Sequence, residues 1–165
     1  MKKDFYFDLE WYQNGHIFLM SYAYNLRSFG QVYGKGLNRT KLVGLLSDVE
    51  NIFVYGPDIS RLEKSFDLNL KKNFNCYNLL GIARKFLNYT TSYKLSYLEQ
   101  IYKIPRKENY KTNIFQLYSD FSNPKKREQA LIYNMEDTLN LLRVKRAMFK
   151  EFKISKKDLQ PFIMK

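Results

Sequence analysis

Apolar and polar positions alternate with a period of two over residues 4–12. Phe5, Phe7, Leu9 and Trp11 form one set, and Tyr6, Asp8, Glu10 and Tyr12 the other. That period predicts a β-strand, whose side chains point to opposite faces in turn. Asn14-Gly15 is a strong hairpin signal. Residues 16–24 (HIFLMSYAY) are rich in β-formers and predict a second strand. Residues 31–36 give a short third one, so the first three strands read as an antiparallel meander. Residues 51–55 (NIFVY) are a short apolar run, as expected of a buried strand, and Gly56-Pro57 breaks it. A weaker strand is expected at 73–77.

Between and after these runs the period changes. Thr40 is the expected N-cap of a helix running to about Asp48. Residues 58–66 read as a helix with Ile59, Leu62 and Phe66 on one stripe. Further helices are expected near 78–88, 94–103 and 112–121. A long final helix is predicted from Asn123-Pro124 to about Phe149, because Pro suits a first helical turn. The order is three strands, alternating helix and strand, then helices. It predicts an α/β fold: a mixed five-stranded sheet, antiparallel in its first three strands and flanked by helices.

Length changes this picture little. The 165 residues are enough for one domain, 1–165, with a core of about 4–149 and a basic tail of 150–165. No apolar run approaches the roughly 20 residues of a membrane span. The first residues lead straight into a strand, so no signal segment is visible. The default expectation is a cytoplasmic protein without a membrane partner. Charge changes the picture more. The net charge is +12, and about half of the excess falls after Leu142, in Arg143, Lys145, Arg146, Lys150, Lys153, Lys156, Lys157 and Lys165. Such a balance fits a polyanionic partner, and nucleic acid above all. Cys76 and His16 are the only cysteine and histidine. A Cys/His zinc site is therefore nearly excluded, and any metal must be held by carboxylates, which suits magnesium or manganese.

Asp8 and Glu10 interrupt the aromatic strand. Two residues apart, they stand on one face at roughly 7 Å. Their mutual repulsion and lost hydration would both be relieved by a divalent cation. On the final helix, Ala130, Tyr133, Asp137, Leu141, Val144 and Met148 fall at spacings of three or four. Asp137 is the charge on that stripe. Taken alone, Asp137 reads equally well as an Asp at the stripe's edge reaching water or a lysine, and Tyr133 as a core aromatic. Asp58, after the buried strand and Gly56-Pro57, reads alone as an N-cap. Asp48-Val49-Glu50 repeats the Asp-x-Glu spacing, but in a turn-like setting where a solvated pair is expected.

Together, Asp8-x-Glu10, Asp58 and Tyr133-x-x-x-Asp137 resemble the motifs of the DEDD superfamily of 3′–5′ exonucleases, the DnaQ-like group. Residue 132 is Ile, so the His-x-x-x-x-Asp form of the third motif is absent and the chain looks like the Tyr subclass, DEDDy. The phrasing of Phe53-Val54-Tyr55-Gly56-Pro57-Asp58-Ile59 and Ile132-Tyr133-Asn134-Met135-Glu136-Asp137 is also similar to YprB-type ribonuclease-H-like domains. The likeness covers about residues 4–148. One departure is Asn78, where related domains often carry an Asp.

The resemblance implies a ribonuclease H-like fold. It implies that Asp8, Glu10, Asp58 and Asp137 hold two Mg2+ or Mn2+ ions and that Tyr133 orients the attacking water. The implied reaction is 3′–5′ exonucleolytic hydrolysis of single-stranded DNA or RNA, with nucleic-acid 3′ ends as partners. Arg61, Arg84, Lys94 and Arg106 are candidates for phosphate contact. Two alternatives stay open: a structure-selective endonuclease of the same fold, and a non-catalytic basic nucleic-acid-binding module.

Overall fold

The computed structural model describes residues 2–107 and 114–165. Five strands, β1 (Lys3–Trp11), β2 (Ile17–Asn25), β3 (Ser28–Tyr33), β4 (Val49–Val54) and β5 (Asn75–Asn78), form one sheet in the order β3-β2-β1-β4-β5. The β1–β2 and β2–β3 pairs are antiparallel; β1–β4 and β4–β5 are parallel. The mixed, five-stranded sheet with an antiparallel beginning is thus as expected. The helices are α1 (Arg39–Leu45), α2 (Asp58–Phe66), α3 (Leu70–Asn73), α4 (Leu79–Phe86), α5 (Leu95–Ile101), α6 (Ile114–Ser122), α7 (Arg127–Glu151) and α8 (Lys156–Leu159). Residues 112 and 113, where the sixth of these was expected to begin, lie outside the described residues. Among the described residues no helix is long and apolar enough to cross a membrane.

The alternation along β1 does what a period of two requires. Phe5, Phe7 and Leu9 enter one core with Leu42, Ile59 and Leu62 of the first two helices. Tyr6 enters the other with Phe53, Leu98, Leu141, Val144 and Met148. Both faces of the sheet are therefore covered. A polar ladder locks the register at the start of the sheet. Asn51 donates to Asp4 at 2.9 Å, Asn75 donates to Asn51 at 3.1 Å, and Lys145 of α7 pairs with Asp4 at 3.1 Å.

Several boundaries differ from expectation for local reasons. Asn38, not Thr40, caps α1: its side chain accepts from the Lys41 amide at 3.0 Å, and the helix ends at Leu45. Asn is the better cap, and it comes first in the chain. The third strand lies earlier, over Ser28–Tyr33, because Gly34 at φ +56° turns the chain into a 3-10 turn. The final helix begins at Arg127 rather than at Asn123-Pro124. Asn123 forms its own turn first, its side chain accepting from Lys125 and its carbonyl from Lys126 and Arg127. The basic segment after α7 folds back over the sheet edge. Leu159 is buried, Ile163 bridges to Tyr77, and the Met164 amide donates to the Cys76 carbonyl at 2.9 Å.

Candidate active site

β1 outruns its parallel neighbour. The last β1–β4 pair is Tyr6 with Phe53, so Asp8, Leu9 and Glu10 lie beyond it, beside the turn that follows β4. That turn is Gly56-Pro57 leading into α2, with Gly56 at φ +118°, a conformation that suits glycine. Asn78 fastens it: its side chain accepts from the Gly56 amide and from the Leu80 amide, both at 3.1 Å. The residue that departs from the related pattern thus clamps the loop carrying Asp58 and caps α4.

Asp58 is not an N-cap. It is the first residue of α2, Pro57 stands at the cap, and its side chain is only 2% exposed. The Leu9 backbone amide, free of β4 at that point, hydrogen-bonds its carboxylate. On the other side of β1, α7 crosses the strand face that carries Asp8 and Glu10. One oxygen from each of Asp8, Glu10 and Asp137 lies within 4.8 Å of the others. Asp58 is outside this trio and acts on Asp8 and Glu10 through its charge.

The four carboxyls all resist ionisation. Burial is the first cause in each case. Asp8 is pushed well above the usual carboxylate range by burial and then by Asp137, Glu10 and Asp58, against the hydrogen bond from Asn134. Glu10, 8% exposed, is raised by burial and by Asp137 and Asp58. Burial raises Asp58 to about 7, opposed by the Leu9 amide and Arg61. Burial raises Asp137 to about 6, opposed by Arg106 and by a hydrogen bond from Tyr133. Tyr133 itself is held above the ordinary phenol value by burial and by the charges of Asp137, Glu10 and Asp8. It is a donor here and stays protonated at neutral pH.

The helical stripe on α7 is rotated from the expected one. Ala130, Leu141, Val144 and Met148 are buried as expected, but the deep positions between them are Asn134 and Thr138. Tyr133 and Asp137 stand at the stripe's edge and face a cleft of about 240 Å³ lined also by Asp8, Tyr55 and Arg106. The deep polar pair anchors the helix. Ser21 of β2 donates to the Asn134 carbonyl at 2.7 Å and meets the Thr138 hydroxyl. Asn134 donates to the Asp8 carboxylate at 2.8 Å, and Gln31 reaches the Leu131 carbonyl at 2.8 Å.

Arg106 was expected as a phosphate contact. It lines the cleft and forks between two acids, bonding Glu99 at 2.8 and 2.5 Å and pairing with Asp137. Arg61 lies over the Trp11 ring at 3.9 Å, while Arg84 and Lys94 are exposed. Of the second Asp-x-Glu, Asp48 is exposed in the turn before β4 and pairs with Lys3 at 3.5 Å, whereas Glu50 is half-buried within β4 itself. Sequence reading missed Asn134, Glu99 and the role of Arg106. The Asn134/Thr138 spacing of four, parallel to Tyr133/Asp137, was the available signal for the first. Nothing local links Glu99 or Arg106 to the acids.

The sequence model of the RNase_H superfamily matches residues 5–149. Among solved structures, NrnC of Brucella melitensis aligns with a TM-score of 0.72 at 15% identity, over 98% of this chain and 81% of that one. NrnC of the same organism with bound Mg2+ aligns at 0.67 and 13% identity, over 98% and 81%. NrnC bound to pGG aligns at 0.67 and 13%, over 97% and 78%. At such identities the likeness is one of fold. No curated protein matches the sequence.

Proposed function

This chain belongs to the RNase_H superfamily, and we propose that residues 1–165 work as one metal-dependent nuclease domain, a 3′–5′ exonuclease of the DEDDy subclass acting on single-stranded DNA or RNA. The observation that carries this is the convergence of Asp8, Glu10 and Asp137 oxygens within 4.8 Å, with the Tyr133 hydroxyl bonded to Asp137. The Mg2+ and pGG bound in the NrnC structures support a divalent metal and a nucleic-acid substrate here.

The donor set fits a hard cation. It offers carboxylate oxygens alone, since Cys76 is buried in the opposite core and His16 is exposed on the β1–β2 hairpin. Acids that burial and repulsion keep from ionising are those a divalent ion would relieve. Asp8, Glu10 and Asp137 would hold one Mg2+ or Mn2+, and Asp58 would join them for a second. Bound there, the metals would acidify a water and screen the charge of the phosphate. The residues do the rest. Tyr133, protonated, orients the attacking water by hydrogen bonding rather than taking its proton. Asn134 fixes the Asp8 carboxylate in position.

The test is incubation of oligonucleotides labelled at either end with Mg2+ or Mn2+. Shortening from the 3′ end is expected, with circular single strands left intact. No cleavage with either metal, or cleavage undiminished in Asp8→Ala and Asp137→Ala, would overturn the reading. Asn134→Ala should weaken Mn2+ affinity and turnover by about 10- to 100-fold, as loss of a ligand's supporting hydrogen bond does. Calorimetric titration with Mn2+ checks this, and an unchanged affinity would remove Asn134 from the site.

A further inference from the structure

A larger opening lies further along β1, past the acids. It measures about 650 Å³ and is framed by Tyr12 and Phe18 of the first hairpin, Arg61 and Lys64 of α2, and Phe121 of α6. Tyr12 continues the face of Asp8 and Glu10, roughly 7 Å beyond Glu10 by strand rise. Arg61 follows Asp58 by about one helical turn, and its charge acts on that carboxyl. The smaller opening is lined by Asp8, Tyr133 and Asp137. The larger is lined not by the acids but by their near neighbours in the chain, Tyr12 two residues beyond Glu10 and Arg61 three beyond Asp58.

The larger opening has the chemistry of a single-strand platform. The β1–β2 register shifts beyond Glu10, since Glu10 pairs with Leu19 and Trp11 with Ile17. The extra residue, Phe18, lies 4.7 Å from the Tyr12 ring, and Tyr118 stacks on Tyr12 at 4.1 Å. Phe121 closes on Phe18 at 4.8 Å. Phe18 is buried and Tyr118 covers one side of Tyr12, so the half-exposed rings of Tyr12 and Phe121 are the ones left to meet a base, which stacks on aromatic faces whatever its identity. Cations stand opposite. Lys64 is exposed, one turn beyond Arg61. Arg61 lies on the Trp11 indole at 3.9 Å, and its Nε is buried with no hydrogen-bond partner among the described residues. A guanidinium stacked on a ring still presents its terminal Nη donors in plane to an anion.

We infer that this cleft is a second nucleic-acid subsite, in which Arg61 and Lys64 take backbone phosphates of a single strand and the half-exposed rings of Tyr12 and Phe121, backed by Phe18, take a base next to the bond that is cut. The inference rests on the nuclease reading and adds a path for the strand that the acids alone do not define. It also gives the basic charge a local purpose, because phosphates approach four carboxylates only with cations alongside.

Trp11 is the only tryptophan of the chain, so its fluorescence reports on Arg61 directly. The experiment titrates the protein with short oligothymidylate or oligouridylate in chelator, at several salt concentrations. A fluorescence change with salt-dependent affinity is expected. Arg61→Ala should abolish the change in Trp11 emission and lower the slope of log affinity against log salt by about 0.7, the share of one phosphate on a single strand. Lys64→Ala, at an exposed position, should lower the slope similarly and keep the fluorescence signal. Arg27→Ala, in the exposed β2–β3 turn, should alter neither. Binding that leaves Trp11 emission unchanged, slopes unaltered in both α2 variants, or an equal fall in Arg27→Ala would each overturn the subsite. A protein that binds in the expected way yet cuts no oligonucleotide with Mg2+ or Mn2+ keeps the subsite and loses the exonuclease reading. One that cuts, with Arg61→Ala and Lys64→Ala unchanged in affinity and KM, loses the subsite alone.

Discussion

Replacing Asp8 with asparagine is expected to cut metal-dependent phosphodiester hydrolysis by about 10³-fold or more, the upper scale for losing one preorganised electrostatic group at a reacting centre. The same change should raise the melting temperature of the metal-free protein. The two effects share one cause. Asp8 is buried beside Asp137, Glu10 and Asp58, and its ionised form costs folding free energy. Asparagine removes the charge and keeps an oxygen for the Asn134 amide, which donates to Asp8 at 2.8 Å. The packing of β1 against α7 is thus preserved while the ligand is lost. Turnover of a labelled oligonucleotide and thermal melts in chelator at pH 8 measure the pair. A variant that melts lower and still cuts near the wild-type rate would make Asp8 a structural acceptor and nothing more.

In chelator, the stability of the wild-type protein should fall as pH rises from 4 to 7, and Mg2+ or Mn2+ should restore it. Asp58 and Asp137 hold their protons more tightly folded than unfolded, with folded values of about 7 and about 6 against 3.8. Below pH 4 both forms are protonated and the contribution is fully present. It is lost as pH climbs through the folded values. Asp4 does not mask the trend. Its burial is outweighed by Asn51 and Lys145, so its carboxyl lies below the ordinary value and acts under pH 4. At pH 8, metal at a hundredfold excess over Kd should contribute about 2.7 kcal/mol, or roughly 5–10 °C for a chain of this size. At pH 5 the gain should be smaller, because protons compete for the same oxygens. Thermal melts across pH, with and without metal, check both halves. Stability rising from pH 5 to 8 in chelator, or no metal shift at pH 8, would contradict the assignment.

What the sequence made legible follows from where each signal is stored. The alternation of Phe5, Phe7 and Leu9 with Tyr6, Asp8 and Glu10 is a local pattern, and the sheet keeps it. Gly56-Pro57 marks the end of β4 just as locally, and it delivers Asp58 to the place where strand ends gather functional groups. The phase of α7 was harder to read. Asn134 and Thr138 look like surface residues until Ser21 of β2 supplies their partners, more than a hundred positions away in the chain. Asn38 and Asn123 shift two helix starts through side-chain bonds that compete with the helix itself. Arg106 and Glu99 carry no periodic signal. Only the packing of α5 against α7 brings them to Asp137.

The Arg106 fork gives Asp137 a different history from its neighbours. Glu99, 3% exposed, holds the guanidinium by two bonds, and Asp137 shares the Nη2 of one of them. Asp137 therefore already has a resident cation, whereas Asp8 and Glu10 meet their repulsion by retaining protons. A divalent ion held by these acids would therefore replace protons at the strand and the Arg106 guanidinium at the helix. Glu99 would keep that arginine in place, so the second exchange would release nothing to solvent.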